Sequence, residues 1–197
     1  TSGLSDADGL SGSFTYQWQR SSDNSSWTDI SGSNSVSHTL GDSDVGKYIR
    51  AQVSYIDQQG TRETVFSAAT TAVENINDDP TGSASIDGTF TEGAIISANI
   101  SAVADNDGLP SIDAFTYQWQ RSSDGTTWAD IYGAADQNYT LASSDVAQYL
   151  RVQVAYVDLQ GTAETSTSAS TSAVTNVNYA PSGSVTISGT VTEDNSL

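Results

Sequence analysis

Apolar and polar residues alternate along much of the chain. Phe14, Tyr16 and Trp18 fall on one face of an extended segment, and Thr15, Gln17 and Gln19 on the other. That period of two is what a half-buried strand needs. The segment runs into Ser-Ser-Asp-Asn, a turn signal. The ten residues Phe14 to Asp23 recur unchanged as Phe115 to Asp124. Identity of that length, far apart in one chain, means duplication of a whole domain. Leu150, Val152, Val154 and Tyr156 repeat the alternation. No segment carries a sustained apolar stripe of period 3.6, so the pattern predicts an all-β chain.

Aligning the copies predicts the organisation. Trp27-Thr28-Asp29-Ile30 matches Trp128-Ala129-Asp130-Ile131, and Asp44-Val45-Gly46-Lys47-Tyr48 matches Asp145-Val146-Ala147-Gln148-Tyr149. Residues 1–79 read as a repeat lacking its first two strands, and residues 80–180 as a complete repeat. Residues 181–197 match the opening of the second copy and read as the first strand of a third. In the complete repeat, strands are expected at 83–90, 94–101, around Trp119, and at 128–132, 138–141, 148–157 and 164–174. Seven strands with a turn about every ten residues predict a β-sandwich. The absent strands of the first copy would leave unpaired edges and an uncovered core. Either the chain is cut from a longer array, or the Val185 to Val191 strand of one molecule completes the first repeat of the next. The second case is head-to-tail self-assembly by strand addition.

Charge narrows the partners. There are 24 acids against 6 bases, a net charge of −18. Nucleic-acid phosphates would be repelled, and so would an anionic membrane surface. No apolar run is long enough to span a bilayer. There is no Cys, so packing or a metal must stabilise the fold without disulfides. The acids either keep the protein soluble or bind a hard cation, and their positions bear on the choice.

Asp105 and Asp107 lie between the second and third strands of the complete repeat, and Asp158 between its sixth and seventh. Asp42 and Asp44 precede the sixth strand of the first copy. The linker Glu74-Asn75-Ile76-Asn77-Asp78-Asp79-Pro80 runs between them. These oxygen ligands are expected to converge on the first junction. Ca²⁺ takes six to eight oxygens in flexible geometry, whereas softer metals prefer His or Cys. The same strings are also ordinary turn and linker chemistry. The second linker, Asn176-Val177-Asn178-Tyr179-Ala180-Pro181, has lost both acids, and Ser143 stands where the first junction has Asp42. Ca²⁺ is therefore expected at the first junction. Asp6, Asp8 and Asp57, the counterparts of Asp105, Asp107 and Asp158, would face a preceding domain.

Two resemblances attach to these residues. A Trp on the third strand, then Asp-x-Gly-x-Tyr leading into the sixth, resembles the immunoglobulin fold, here without the disulfide cysteines. Asn75-x-Asn77-Asp78-x-Pro80, Asp105-x-Asp107 and Glu92 resemble the cadherin linker, the cadherin Asp-x-Asp and its early Glu. The whole chain is similar to the tandem immunoglobulin-like and cadherin-like repeats of giant bacterial surface adhesins. The resemblance implies tandem Greek-key β-sandwiches at the cell surface, contacting neighbouring repeats of the same chain and stiffened by Ca²⁺. It implies an extender or stalk with no catalysis. The implied ligands are Asp105, Asp107, Asp158, Asn77 and Asp78, helped by Asp42 or Asp44. The competing reading is a binding module, for polysaccharide through Trp27 and Trp128 or for protein through an open strand edge. Those tryptophans otherwise pack at the core or rim. His38 reads as an ordinary strand residue, since its counterpart is Tyr139. Arg20 and Arg121 read as covering apolar surface or pairing with nearby acids.

Overall fold

The computed structural model describes residues 3–189 and 191–194. Strands and short 3-10 turns make up its regular structure, and no helix among the described residues is long and apolar enough to cross a membrane. The chain is all-β, with three antiparallel sheets. By contacts it divides into two units. The first comprises Thr1–Thr81, Ala104–Ile112 and Val157–Glu164, and the second Gly82–Val103, Asp113–Tyr156 and Thr165–Leu197.

In the first unit, strands β1 (Leu10–Ser21), β2 (Thr28–Asp29), β3 (Tyr48–Asp57) and β4 (Arg62–Phe66) form one sheet in the order β2-β1-β3-β4. Tyr16 lies opposite Val53 and Trp18 opposite Ala51. The remaining strands are β5 (Ser85–Asp87), β6 (Ile95–Asn99), β7 (Thr116–Ser122), β8 (Ala129–Asp130), β9 (Asn138–Thr140), β10 (Tyr149–Val157) and β11 (Ala163–Thr167). The sheet β8-β7-β10-β11 repeats the order of the first sheet. It also repeats its register, with Tyr117 opposite Val154 and Trp119 opposite Val152. A third sheet, β5-β6-β9, has no counterpart in the first unit among the described residues.

That third sheet closes the core of the second unit. Trp119, Leu150, Val152 and Val154 are fully buried, together with Ile96 and Ala98 of β6. The Trp119 ring stacks on Tyr139 of β9 at 5.7 Å between centroids, so the two sheets meet across the tryptophan. The Trp119 indole N–H donates to the Asp136 carbonyl at 2.9 Å, which satisfies its one polar atom. In the first unit Trp18 is only partly buried. Leu40 is 51 % exposed where its counterpart Leu141 is 1 % exposed. An open cleft of about 310 Å³ is walled by Trp18, Val36, Val53 and Phe66. The same ladder thus has a covered face in one unit and an open one in the other.

The strand expected at 83–90 forms only at Ser85–Asp87 and that at 128–132 only at Ala129–Asp130, and two further segments depart more. The segment expected at 164–174 leaves strand geometry after Thr167. Beyond it, hydroxyls take places in the ladder: Val152 N donates to Ser168 Oγ at 3.0 Å and Leu150 N to Thr171 Oγ1 at 2.9 Å. Such side chains offer the backbone an alternative partner. The strand expected at Val185 to Val191 is not formed at its described positions, and Thr190 and residues 195–197 lie outside the described residues. A strand needs a ladder partner, and among the described residues this one has none.

The turn before β10 also differs between copies. Gly46 has φ 70° and its counterpart Ala147 has φ 61°. A side chain in this left-handed region costs roughly 1–2 kcal/mol, while glycine frees the unfolded chain by less than that. Ala147→Gly is expected to stabilise the second unit by about 0.5–1 kcal/mol in urea unfolding. In the same assay Trp119→Ala is expected to cost about 3–5 kcal/mol, and Trp18→Ala clearly less, because its site is already open to water.

Candidate metal centre

The Asp105-Asn106-Asp107-Gly108 turn is built by its own side chains. Asp105 Oδ1 accepts the Asp107 amide at 2.9 Å, and the Asp105 carbonyl accepts the Gly108 amide at 3.2 Å. Gly108 has φ +92°, and a Cβ there would lie 2.8 Å from Leu159, so only glycine turns the chain at this point. The Leu159 amide then donates to the Gly108 carbonyl at 3.1 Å. This bond draws the turn after β10 against the turn after β6. Asp158 and Asp107 are both buried as a result.

Asp105, Asp107 and Asp158 each present an oxygen within 4.8 Å of the others. Asp158 Oδ1 accepts the amides of Gln160 and Thr162, both at 2.8 Å. Asp158 Oδ2 receives nothing, the single such buried side-chain atom found among the described residues. Asp158 is 5 % exposed. A buried carboxylate oxygen without a donor is costly. Like charges about 5 Å apart repel by on the order of 3 kcal/mol at an effective dielectric of about 20. The cluster offers only oxygen, which is the donor set a hard divalent cation takes.

The linker closes on the same place. The Asp78 amide donates to Asp107 Oδ2 at 2.7 Å, and Asn77 Nδ2 donates to Glu164 Oε1 at 2.8 Å. Loss of hydration raises the Asp78 pKa, followed by the charges of Asp42, Asp107, Asp105 and Asp79. Asp42 and Asp78 also share the wall of an open cleft of about 240 Å³ in the first unit. Sequence reasoning missed Glu164. Its signal was legible, because glutamate stands at the same place in the other copy as Glu63.

Asp44 does not join this group. Its Oδ1 pairs with Arg20 at 3.5 Å, and its Oδ2 with His38 Nε2 at 2.9 Å and the Gly41 amide at 3.3 Å. Asp145 does the same work with Arg121 at 3.2 Å, the Tyr139 hydroxyl at 2.7 Å and the Ala142 amide at 2.9 Å. Burial and then this bond push the Tyr139 hydroxyl well above its ordinary pKa. His38 is thus no strand residue: it stands in for Tyr139 on the buried aspartate, and its other ring nitrogen meets Ser33 Oγ at 3.1 Å.

Nor, among the described residues, do the first-copy acids meet in such a trio. Asp6 Oδ2 accepts the Tyr55 hydroxyl at 2.6 Å, and that bond raises the Tyr55 pKa to about 12. Asp57 Oδ1 accepts the amides of Gln59 and Thr61. At the second linker, Glu92 accepts the Ser143 hydroxyl and the Val177 amide. Over Trp27 sits the Arg50 guanidinium at 4.3 Å, and over Trp128 that of Arg151 at 4.5 Å. Each of these cation–π contacts occupies one face of a ring that a sugar would stack on.

Residues 2–75 and 81–181 match a domain of unknown function, DUF8696. The chain belongs to the DUF8696 family. No curated protein matches it in sequence. In this DUF8696 chain the two matched stretches share the Arg-Ser-Ser-Asp turn, whose aspartate is held by local donors. Asp124 Oδ1 accepts the amides of Thr127 at 2.7 Å and Thr126 at 2.8 Å and the Ser122 hydroxyl at 2.8 Å. Those donors hold Asp124 far below its ordinary pKa of 3.8, and Asp23 is held likewise by Ser26 and Ser25.

A depressed carboxyl pKa means that the folded state binds the proton less tightly than the unfolded chain. The stability it contributes is complete above the ordinary pKa of 3.8 and is lost as pH falls below it. Asp124→Ala is therefore expected to lower the melting temperature at pH 7 and to flatten its fall on acidification, read by thermal unfolding from pH 7 down to about pH 2. Asp145→Ala, which strands the Tyr139 hydroxyl and the Ala142 amide, is expected to cost about 2–3 kcal/mol at pH 7 in urea unfolding.

Proposed function

We propose that this chain is a non-catalytic spacer: immunoglobulin-like Greek-key β-sandwiches in tandem, part of an extracellular, adhesin-like stalk stiffened by Ca²⁺ at the first linker. The observation that carries the reading is Asp158 Oδ2, a buried carboxylate oxygen with no donor, inside a trio of aspartates. Asp105, Asp107 and Asp158 would hold the ion, and Asp78 and Asp42 bring further carboxylate charge to it. Bound Ca²⁺ would bring positive charge among these carboxylates and accept a lone pair of Asp158 Oδ2.

The chain's own residues do the mechanical part. The Asp78 amide ties the linker to Asp107, and Asn77 ties it to Glu164 at the start of β11. These bonds tie the linker to the loops that carry the acids, all within the first unit. At a net charge of −18 a linker without such a brace is opened by self-repulsion. The resemblance to adhesin repeats supports the cell-surface setting. The arginine-covered tryptophans weigh against a sugar platform.

The test is calorimetric titration of Ca²⁺ into EDTA-treated protein, with thermal unfolding and small-angle scattering on the same samples. Binding with a stiffer particle is expected. At a free concentration of about 100 times Kd the gain in stability is about 2.7 kcal/mol. Asp158→Asn separates a ligand from a structural residue. Its amide oxygen can still accept from Gln160 and Thr162, and the change removes the uncompensated charge. It is expected to match or exceed the parent in EDTA and to lose the gain with Ca²⁺. No heat at millimolar Ca²⁺, or an unchanged gain in Asp158→Asn, would sink the reading.

A further inference from the structure

We propose that Glu92 is the positioning residue of a clamp that fixes the second linker to the second unit without a metal ion. Every residue of the clamp belongs to that unit. It begins in the backbone. Val174 is buried, its amide donates to the Gln148 carbonyl at 3.0 Å, and its carbonyl accepts the Ala147 amide at 2.9 Å. The Thr175 amide then donates to the Phe90 carbonyl and the Glu92 amide to the Thr175 carbonyl, both at 2.9 Å. Thr91 and Thr175 thus form a parallel bridge. The linker starts from a fixed place beside residues 90–92.

Past Thr175 the Glu92 side chain takes over from the backbone. One carboxylate oxygen accepts the Val177 amide at 3.3 Å and the other the Ser143 hydroxyl. Ser143 opens the 3-10 turn Ser143–Asp145, whose Asp145 is itself buried and held by Arg121, Tyr139 and the Ala142 amide. One carboxylate therefore joins three segments: the start of the unit, the turn before β10 and the linker. Two residues further on, the Tyr179 hydroxyl lies over Gly93, where a Cβ would stand 3.6 Å from it.

Charge separates this linker from the first. Ser143 and Tyr179 stand where the first copy has Asp42 and Asp78. Two acids have given way to two hydroxyls, and one of those hydroxyls donates to Glu92. A lone carboxylate met by two donors is held by charge-assisted hydrogen bonds. The trio at the first linker gathers three carboxylates and leaves one oxygen bare. Neutral donors thus do for the second linker what the proposed cation would do for the first. The inference stands whether or not the first linker binds Ca²⁺, because its readout is an amide of the second unit.

The test is amide hydrogen exchange of the 197-residue protein, read residue by residue by NMR. In EDTA the Val177 amide is expected to exchange at least about tenfold more slowly than an unstructured amide, and millimolar Ca²⁺ to change that rate by less than about twofold. Glu92→Ala is expected to speed Val177 exchange at least about fivefold and to leave the Val174 amide slow. Glu92→Gln keeps an acceptor for Val177 and is expected to restore most of the protection, a rescue that a cation ligand would not show. Ser143 is exposed, so Ser143→Asp leaves the core intact; it sets a second carboxylate against Glu92 and is expected to release Val177 in EDTA. If Glu92→Ala also releases Val174, the Ser143→Asp protein decides. An unprotected Val177 in the parent overturns the proposal. So does slowing of that amide by Ca²⁺, or Val177 exchange unchanged in both Glu92→Ala and Ser143→Asp.

Discussion

One hydrogen bond organises the acidic end of this structure: the Leu159 amide on the Gly108 carbonyl. It joins two turns far apart in sequence, and each arrives already carrying aspartates. Glycine in the left-handed region makes the approach possible, because a Cβ at Gly108 would collide with Leu159. Once the turns meet, Asp107 and Asp158 are buried beside each other and Asp105 stands at their edge. The amide of Asp78 then finds Asp107, and the linker is drawn in. The first copy makes the same bond between Gln58 and Gly9, at 3.3 Å. In that copy Asp6 accepts the Tyr55 hydroxyl.

Duplication lets one unit serve as the control for the other. Both have the same four-stranded order and the same register around the tryptophan. What separates them is a three-stranded cover. With it, Leu141 and Trp119 leave water; without it, Leu40 and Trp18 remain in contact with it. The difference is one of burial rather than of backbone, and hydrophobic burial is the dominant favourable term in folding.

Charge is handled in two ways. Asp44 and Asp145 are buried, and each is paid for in full by an arginine, a ring partner and a backbone amide. Asp23 and Asp124 are exposed and held by local amides. Asp158 is the exception, with one oxygen satisfied and one bare. That bare buried oxygen is the feature the proposed cation would satisfy.

The strand pattern was legible because alternation is local: the period of two in Phe14 to Gln19 and in Leu150 to Tyr156 needs no tertiary information. The seven strands of the second copy were legible in order, and so was the meeting of Asp105, Asp107, Asp158 and Asp78, since equal placement on loops follows from the strand order. Asp44 was not. Beside Asp42 in sequence, it looks like a second ligand, but the 3-10 turn Asp42–Asp44 points it inward to Arg20 and His38. His38 was hidden for the same reason, because its partner is six residues away on a turn whose direction the sequence does not reveal. The hydroxyls of Ser168 and Thr171 broke a strand that propensity alone would have continued. Sequence by itself determined which residues alternate, which turns carry acids and that the stretch Phe14 to Asp23 recurs at Phe115 to Asp124. Only the tertiary structure decided which acids are already satisfied and which face is left uncovered, because donors and cover come from segments distant in the chain.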